Sequence, residues 1–173
     1  METSTIDNLR EAFPEGAKDL KLNLETLLNE ASLSVEQRWG VALACAAAVG
    51  SRPLRKALLA ETLARGGEAT AQDALAVAAL MSMNNVYYRF RHRVGKEIYS
   101  QLPMRLRMNR LHKPAGSRVD CELFSLAVSA INDCETCIQA HEREVRNGGV
   151  TESQIHDAVR LAAVIAGAAV ALG

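Results

Sequence analysis

The sequence predicts an all-α protein, on three grounds. Hydrophobic residues make up 49% of the 173, yet aromatic residues only 4%, so the interior must be built from Ala, Leu and Val. Small aliphatic side chains let helices approach closely, whereas a sandwich or barrel would be richer in aromatic and β-branched residues. Helix-start signals recur along the chain, and no alternation of polar and apolar residues is long enough for a strand. The length suits one compact domain, or two small halves sharing a core.

Four helix starts pair a hydroxyl with an acidic or amide residue three positions later: Ser34–Gln37, Thr70–Asp73, Ser117–Asp120 and Thr151–Gln154. A strict capping box carries Glu or Gln at the second position, so the two ending in Asp are the weaker cases. Pro53 fits the first turn of a further helix, where its missing N–H costs nothing. Gly66-Gly67 and Gly148-Gly149 read as helix C-caps followed by tight turns.

Superposing the two Gly-Gly pairs, at an offset of 82, lays Trp39–Cys45 over Cys121–Ala127 and Ala44–Val49 over Leu126–Ile131. With two residues of slippage, Ala74–Met81 covers Ala158–Ile165. The pattern predicts a duplicated helical module within a single domain, 1–173: an N-terminal copy at about 1–83 and a C-terminal copy at about 117–173. The copies are chemically unequal. Opposite Cys134, Cys137, His141 and Glu122 stand Arg52, Arg55, Leu59 and Gly40, so only the second copy can hold a site. Between them, Asn84–Gly116 mixes polar, aromatic and basic residues, and reads as a solvated or subunit-contacting helix in preference to an anion site.

Charge and terminal patterns narrow the function classes. With 20 basic and 20 acidic residues, the chain has no basic surplus with which to bind nucleic acid. Met1–Glu11 is polar and acidic, without the basic and apolar regions of a secretory signal. The most apolar stretch, Ala158–Leu172, is interrupted by Arg160 and is shorter than the ~20 residues a bilayer span needs. A cytoplasmic protein with no membrane association is expected. Four cysteines in a reducing compartment are then catalytic, metal-binding or buried thiols.

Cys134-Glu-Thr-Cys137 is the motif that carries chemistry. A C-x-x-C pair at a helix start places both sulfurs on one face within disulfide reach. Cys134 is expected in the first turn, where helix N–H groups and the dipole favour a thiolate. His141 follows Cys137 by one turn on the same face and can exchange a proton with its sulfur. Glu122, twelve residues before Cys134, can orient His141 and raise its basicity, which completes a base-assisted nucleophile. Dithiol oxidation by a peroxide needs this set: a thiolate, a proton for the departing alkoxide, and a second thiol to resolve the sulfenic acid. The same C-x-x-C read as half a zinc site lacks a second pair, so no metal is expected. Cys45 and Cys121 lie among aliphatic residues and read as core, while Trp39, His92, His112 and His156 carry no separate signal.

The string from Glu122 to Glu142 closely resembles the alkylhydroperoxidase D (AhpD) family of the carboxymuconolactone decarboxylase-like superfamily. Lys18–Leu24, Trp39-Gly40, Met83–Arg89 and Leu106–Asn109 also resemble it, so the likeness covers nearly the whole chain. It implies an AhpD-like helical fold assembled as a homotrimer, with no bound cofactor. It further implies antioxidant reduction of organic hydroperoxides with electrons from the dihydrolipoyl group of a lipoylated carrier protein, and regeneration of the peroxiredoxin AhpC. By position, Cys137 is implied to form the sulfenic acid and Cys134 to donate a proton and resolve it in a disulfide. His141 and Glu122 are implied to form the proton relay. Some members carry His at the position of Thr136, which cannot titrate, so that branch of the relay is expected to be missing or weaker. Helix-dipole reasoning favours Cys134 as the more acidic thiol, whereas the relay favours Cys137. We assign peroxide attack to Cys137 and expect Cys134, as the more accessible thiol, to meet the dihydrolipoyl group. Two alternatives remain: a carboxymuconolactone decarboxylase-type enzyme, for which a dithiol has no use, and a redox-sensing or zinc-stabilised interaction module.

Overall fold

The computed structural model describes residues 5–30 and 32–173, which form nine α-helices and no strand, as an all-α fold requires. Helices α1 (Thr5–Glu11) and α2 (Lys18–Glu30) lead into α3 (Val35–Ala48), α4 (Arg52–Arg65) and the long α5 (Gly67–Val94). The short α6 (Glu97–Gln101) and a 3-10 turn at Asn109–His112 carry the chain to α7 (Arg118–Ile131), α8 (Glu135–Asn147) and α9 (Glu152–Leu172).

Side-chain caps account for several of these boundaries. Ser34 and Thr151 form reciprocal capping boxes with Gln37 and Gln154. Ser117 Oγ accepts from the Asp120 N–H, but Asp120 makes no return bond; its carboxylate accepts from Gln37 Nε2 at 2.9 Å and ties α7 to α3. The start expected at Thr70 is not used. Gly67, at φ +83°, lets the chain turn directly from α4 into α5, and Thr70 Oγ1 donates to the Gly66 carbonyl inside the helix.

Asp73, expected to help that start, does something else. Its buried carboxylate accepts from the N–H groups of Ala115 and Gly116 and from Arg110 Nη2, stapling the end of the α6–α7 connection to α5. Burial opposes ionisation of Asp73, but those donors outweigh it and hold its pKa below the usual carboxylate range. A depressed pKa of this kind contributes stability that is present above the unfolded value of about 4 and is lost as pH falls through the folded value. Asp73→Ala should therefore destabilise the protein by about 3 kcal/mol near neutral pH, since it strands buried donors. Thermal melts should show the difference from wild type shrinking below about pH 4.

The core runs through α3, α4, α5, α7 and α9, with Phe124 as its largest fully buried side chain. The Phe124 ring lies directly on Gly40, where a Cβ would stand 2.0 Å from Cζ, so only glycine lets α3 and α7 meet there. Trp39 is buried and is stacked by Arg65 at 5.2 Å. Both remaining cysteines are core residues. Burial pushes the Cys45 thiol far up, and burial together with the Asp73 carboxylate pushes Cys121 up to about 12. Neither forms a useful thiolate near neutrality.

The expected end of the first copy, at about residue 83, lies within α5, which runs on to Val94 before Gly95 turns it at φ +60°; past Asn85 its side chains are partly or fully exposed. One expectation needs correction. The apolar stretch 158–172 belongs to the 21-residue α9, which alone among the described residues is long and apolar enough to cross a membrane by length and composition. Capping adds six residues before Ala158, which the apolar run did not reveal. One stripe of α9, including Leu161, Ala162, Ile165 and Ala168, packs into the core against α2, α3 and α7, as a core helix does.

Candidate active site

The site is a turn between two packed helices, closed by a third. Helix α7 ends at Ile131, and Asn132 and Asp133 reverse the chain into α8. Asp133 takes φ +53°, an uncommon conformation without glycine, which Asn and Asp tolerate better than other side-chain-bearing residues. Polar groups of α5 hold this turn. Arg89 Nη1 donates to the Asn132 carbonyl, Arg93 Nη2 to the Asp133 carboxylate at 2.6 Å, and Asn132 Nδ2 to Asn85 Oδ1 at 2.9 Å. Asn85 Nδ2 in turn donates to Ser129 Oγ at 3.0 Å, so the buried carboxamide is paired on both sides.

Cys134 and Cys137 are joined by a disulfide with Cα atoms 5.3 Å apart. Helix α8 begins at Glu135, so Cys134 is its N-cap and Cys137, not Cys134, lies within its first turn. The helix field therefore acts on both sulfurs and does not single out Cys134. Cys134 does not stand out as the more accessible thiol either, since both residues are buried, at 1% and 4% exposure. The Ser129 carbonyl accepts from the Cys134 N–H at 3.1 Å, drawing Cys134 back against α7 and under the turn.

His141 and Glu122 meet across the α7–α8 hairpin, with Nδ1 and Oε2 2.7 Å apart and both side chains partly buried. A carboxylate accepts at that distance, which places the ring proton on Nδ1 and leaves Nε2 with a free lone pair in neutral imidazole. His141 and Cys137 line one cleft of about 220 Å³, with Asn84, Tyr88, Met108, Thr136 and Ala140. Cys134 instead lines a small recess whose Arg93 and His92 pair with Asp133 and Glu135, beside Arg89 and Thr136. Thr136 is exposed and borders both. No group of three or more His, Cys, Asp or Glu residues among those described could hold a metal ion.

Comparison with known proteins identifies this architecture. Residues 99–172 match the carboxymuconolactone decarboxylase family. The alkyl hydroperoxide reductase AhpD of Anaeromyxobacter dehalogenans (strain 2CP-C) is 59% identical over 169 residues, 98% of this chain and 91% of that protein. The chain belongs to the AhpD family. A more distant AhpD, from Brucella suis (strain ATCC 23445 / NCTC 10510), is 45% identical over 97% of this chain and 96% of its own length. Sequence reasoning did not assign roles to Asn84, Asn85, Arg89, Arg93 or Asn132 around the AhpD-family site. The available signal was the Asn84-Asn85 pair in a long helix, followed by the Arg/aromatic cluster.

Proposed function

We propose that the chain is an antioxidant alkyl hydroperoxide reductase whose Cys134/Cys137 pair cycles between dithiol and disulfide, with a dihydrolipoyl group as electron donor. The observation that carries this reading is the His141–Glu122 pair on the same cleft as Cys137, beside a partner thiol already in disulfide contact. In the reduced protein the Cys137 thiolate attacks the distal peroxide oxygen, the S–O bond forms and the O–O bond breaks. The departing alkoxide takes a proton from Cys134. Cys134 sulfur then attacks the sulfenic acid, releasing water and forming the disulfide. His141, held by Glu122, moves protons to and from Cys137 through Nε2. Thr136 adds no titrating group to that path. The dihydrolipoyl dithiol reopens the disulfide by thiol–disulfide exchange, with its first attack on Cys137, the sulfur-bearing residue on the larger cleft.

The decarboxylase-type alternative is not favoured, because that chemistry leaves the dithiol without a role. Electrons delivered from a lipoylated carrier to the peroxiredoxin AhpC, and a cytoplasmic location, complete the reading by analogy with the family. The two-module organisation belongs to it as well, since α3–α4–α5 and α7–α8–α9 follow in the same order and α3 and α7 are each 14 residues long.

A homotrimer fits the distribution of charge. Residues 89–118 hold nine of the 20 basic residues and one of the 20 acidic ones, leaving 11 basic and 19 acidic elsewhere. The same segment exposes Phe90, Ile98, Leu102 and Leu106. A basic, apolar arm opposite an acidic body suits a head-to-tail ring of identical subunits. Light scattering should give three times the chain mass, and a monomeric mass would refute the assembly.

The function is tested by hydroperoxide consumption with dihydrolipoamide as the only reductant. Turnover should require both, and stoichiometric peroxide loss without turnover in excess dihydrolipoamide would overturn the reading.

A further inference from the structure

The cleft that holds Cys137 and His141 contains a polar group without a partner. Asn84 is 6% exposed, and its side-chain oxygen Oδ1 is buried with no hydrogen bond. Its Nδ2 has only a weak contact, 4.0 Å from Met81 Sδ. The neighbouring Asn85 is different, with its oxygen and nitrogen bonded to Asn132 and Ser129. An unsatisfied buried carbonyl costs free energy unless something in the working cycle satisfies it. The other acceptors in the cleft are the Tyr88 and Thr136 hydroxyls and His141 Nε2, which the mechanism engages with the Cys137 proton; of the lining groups, Asn84 Oδ1 is the buried acceptor without a bond.

We propose that Asn84 positions the hydroperoxide, its side-chain oxygen accepting the hydrogen of the distal O–H group while Cys137 attacks that same oxygen. This rests on the peroxidase reading above. The distal oxygen carries the only O–H hydrogen of an alkyl hydroperoxide, and one fixed acceptor orients that oxygen toward the sulfur. When the S–O bond forms and the O–O bond breaks, the hydrogen stays on the transferred oxygen and becomes the sulfenic O–H. Asn84 can therefore keep its bond from bound peroxide to sulfenic acid without gaining or losing a proton. The alkyl group of the peroxide is left to Met108 and Ala140 on the cleft wall. A dihydrolipoyl dithiol brings only S–H groups, which are weak donors, to the same place. Asn84 accordingly matters for oxidation of the thiols and little for reduction of the disulfide.

The test separates the two half-reactions by stopped flow, using tert-butyl hydroperoxide on the reduced protein and dihydrolipoamide on the oxidised protein. Asn84→Leu keeps the approximate volume and removes the acceptor; oxidation should slow about tenfold, the worth of one hydrogen bond, and reduction should stay within about twofold. In steady state the loss should fall on the hydroperoxide KM more than on kcat. Asn84→Asp restores an acceptor of the same shape and should recover oxidation at least in part. Oxidation by Asn84→Leu at the wild-type rate overturns the proposal. Equal slowing of both half-reactions also overturns it, because the residue would then support the site's structure only. Wild-type protein that consumes no hydroperoxide would refute the underlying activity, an outcome visible before either variant is compared.

Discussion

Cys137→Ser should abolish dihydrolipoamide-dependent peroxide turnover, while Cys134→Ser should still consume one equivalent of peroxide per chain and then stop. The difference follows from the division of labour between the two sulfurs. Cys137 shares its cleft with His141, whose Nε2 lone pair is free because Glu122 holds Nδ1. Cys134 sits in the recess behind, against Arg89 and Arg93. Serine at 137 leaves no effective nucleophile beside the relay, since a hydroxyl is too weak an acid to ionise there as the thiol does. Serine at 134 leaves the nucleophile intact but removes the thiol that resolves its sulfenic acid. Mass spectrometry after one equivalent of peroxide should locate one added oxygen on Cys137 in Cys134→Ser. Sulfenate found only on Cys134, in Cys137→Ser, would reverse the assignment.

Glu122→Gln should slow oxidation of the dithiol by about 100-fold, within the range of a general acid–base group. The amide oxygen can still accept from His141 Nδ1, so the ring stays in place and the fold is spared. The negative charge that stabilises imidazolium is gone, so His141 becomes a poorer acceptor for the Cys137 proton. The expected signature is a rate that recovers toward wild type as pH rises and the thiol ionises without help. Equal rates at all pH values would mean that Glu122 serves only as a structural partner. Circular dichroism and melting temperature, unchanged from wild type, would separate the kinetic effect from misfolding.

The grouping of Glu122, Cys134, Cys137 and His141 was legible because their relationship is largely local. Cys134, Cys137 and His141 sit on one helix start and its next turn, and Glu122 lies on the helix before, 19 residues from His141. The all-α fold was legible in the capping signals and in an interior of small aliphatic residues. Tertiary contacts were not. Asn85 and Asn132 are 47 residues apart, and nothing in either segment states that α5 crosses behind the α7–α8 turn. Asp73 shows the same limit from the other side. Three positions after Thr70 it resembled part of a cap, but Gly67 had already turned the chain, and backbone groups more than forty residues away claimed the carboxylate. The relative accessibility of the two sulfurs could not be judged from spacing, since it depends on the Ser129 carbonyl and the recess under the turn.

The clamp that α5 places on the reactive turn limits how far this protein can be dissected. Residues 117–173 contain Glu122, Cys134, Cys137 and His141, the groups to which we assign sulfur chemistry and proton transfer. They contain neither Asn85, Arg89 and Arg93, which hold Asn132 and Asp133, nor Tyr88 and Met108, which wall the cleft. A fragment cut there would keep the chemistry and lose the geometry. Grafting the C-x-x-C hairpin onto another scaffold would therefore require transplanting a stretch of α5 with it.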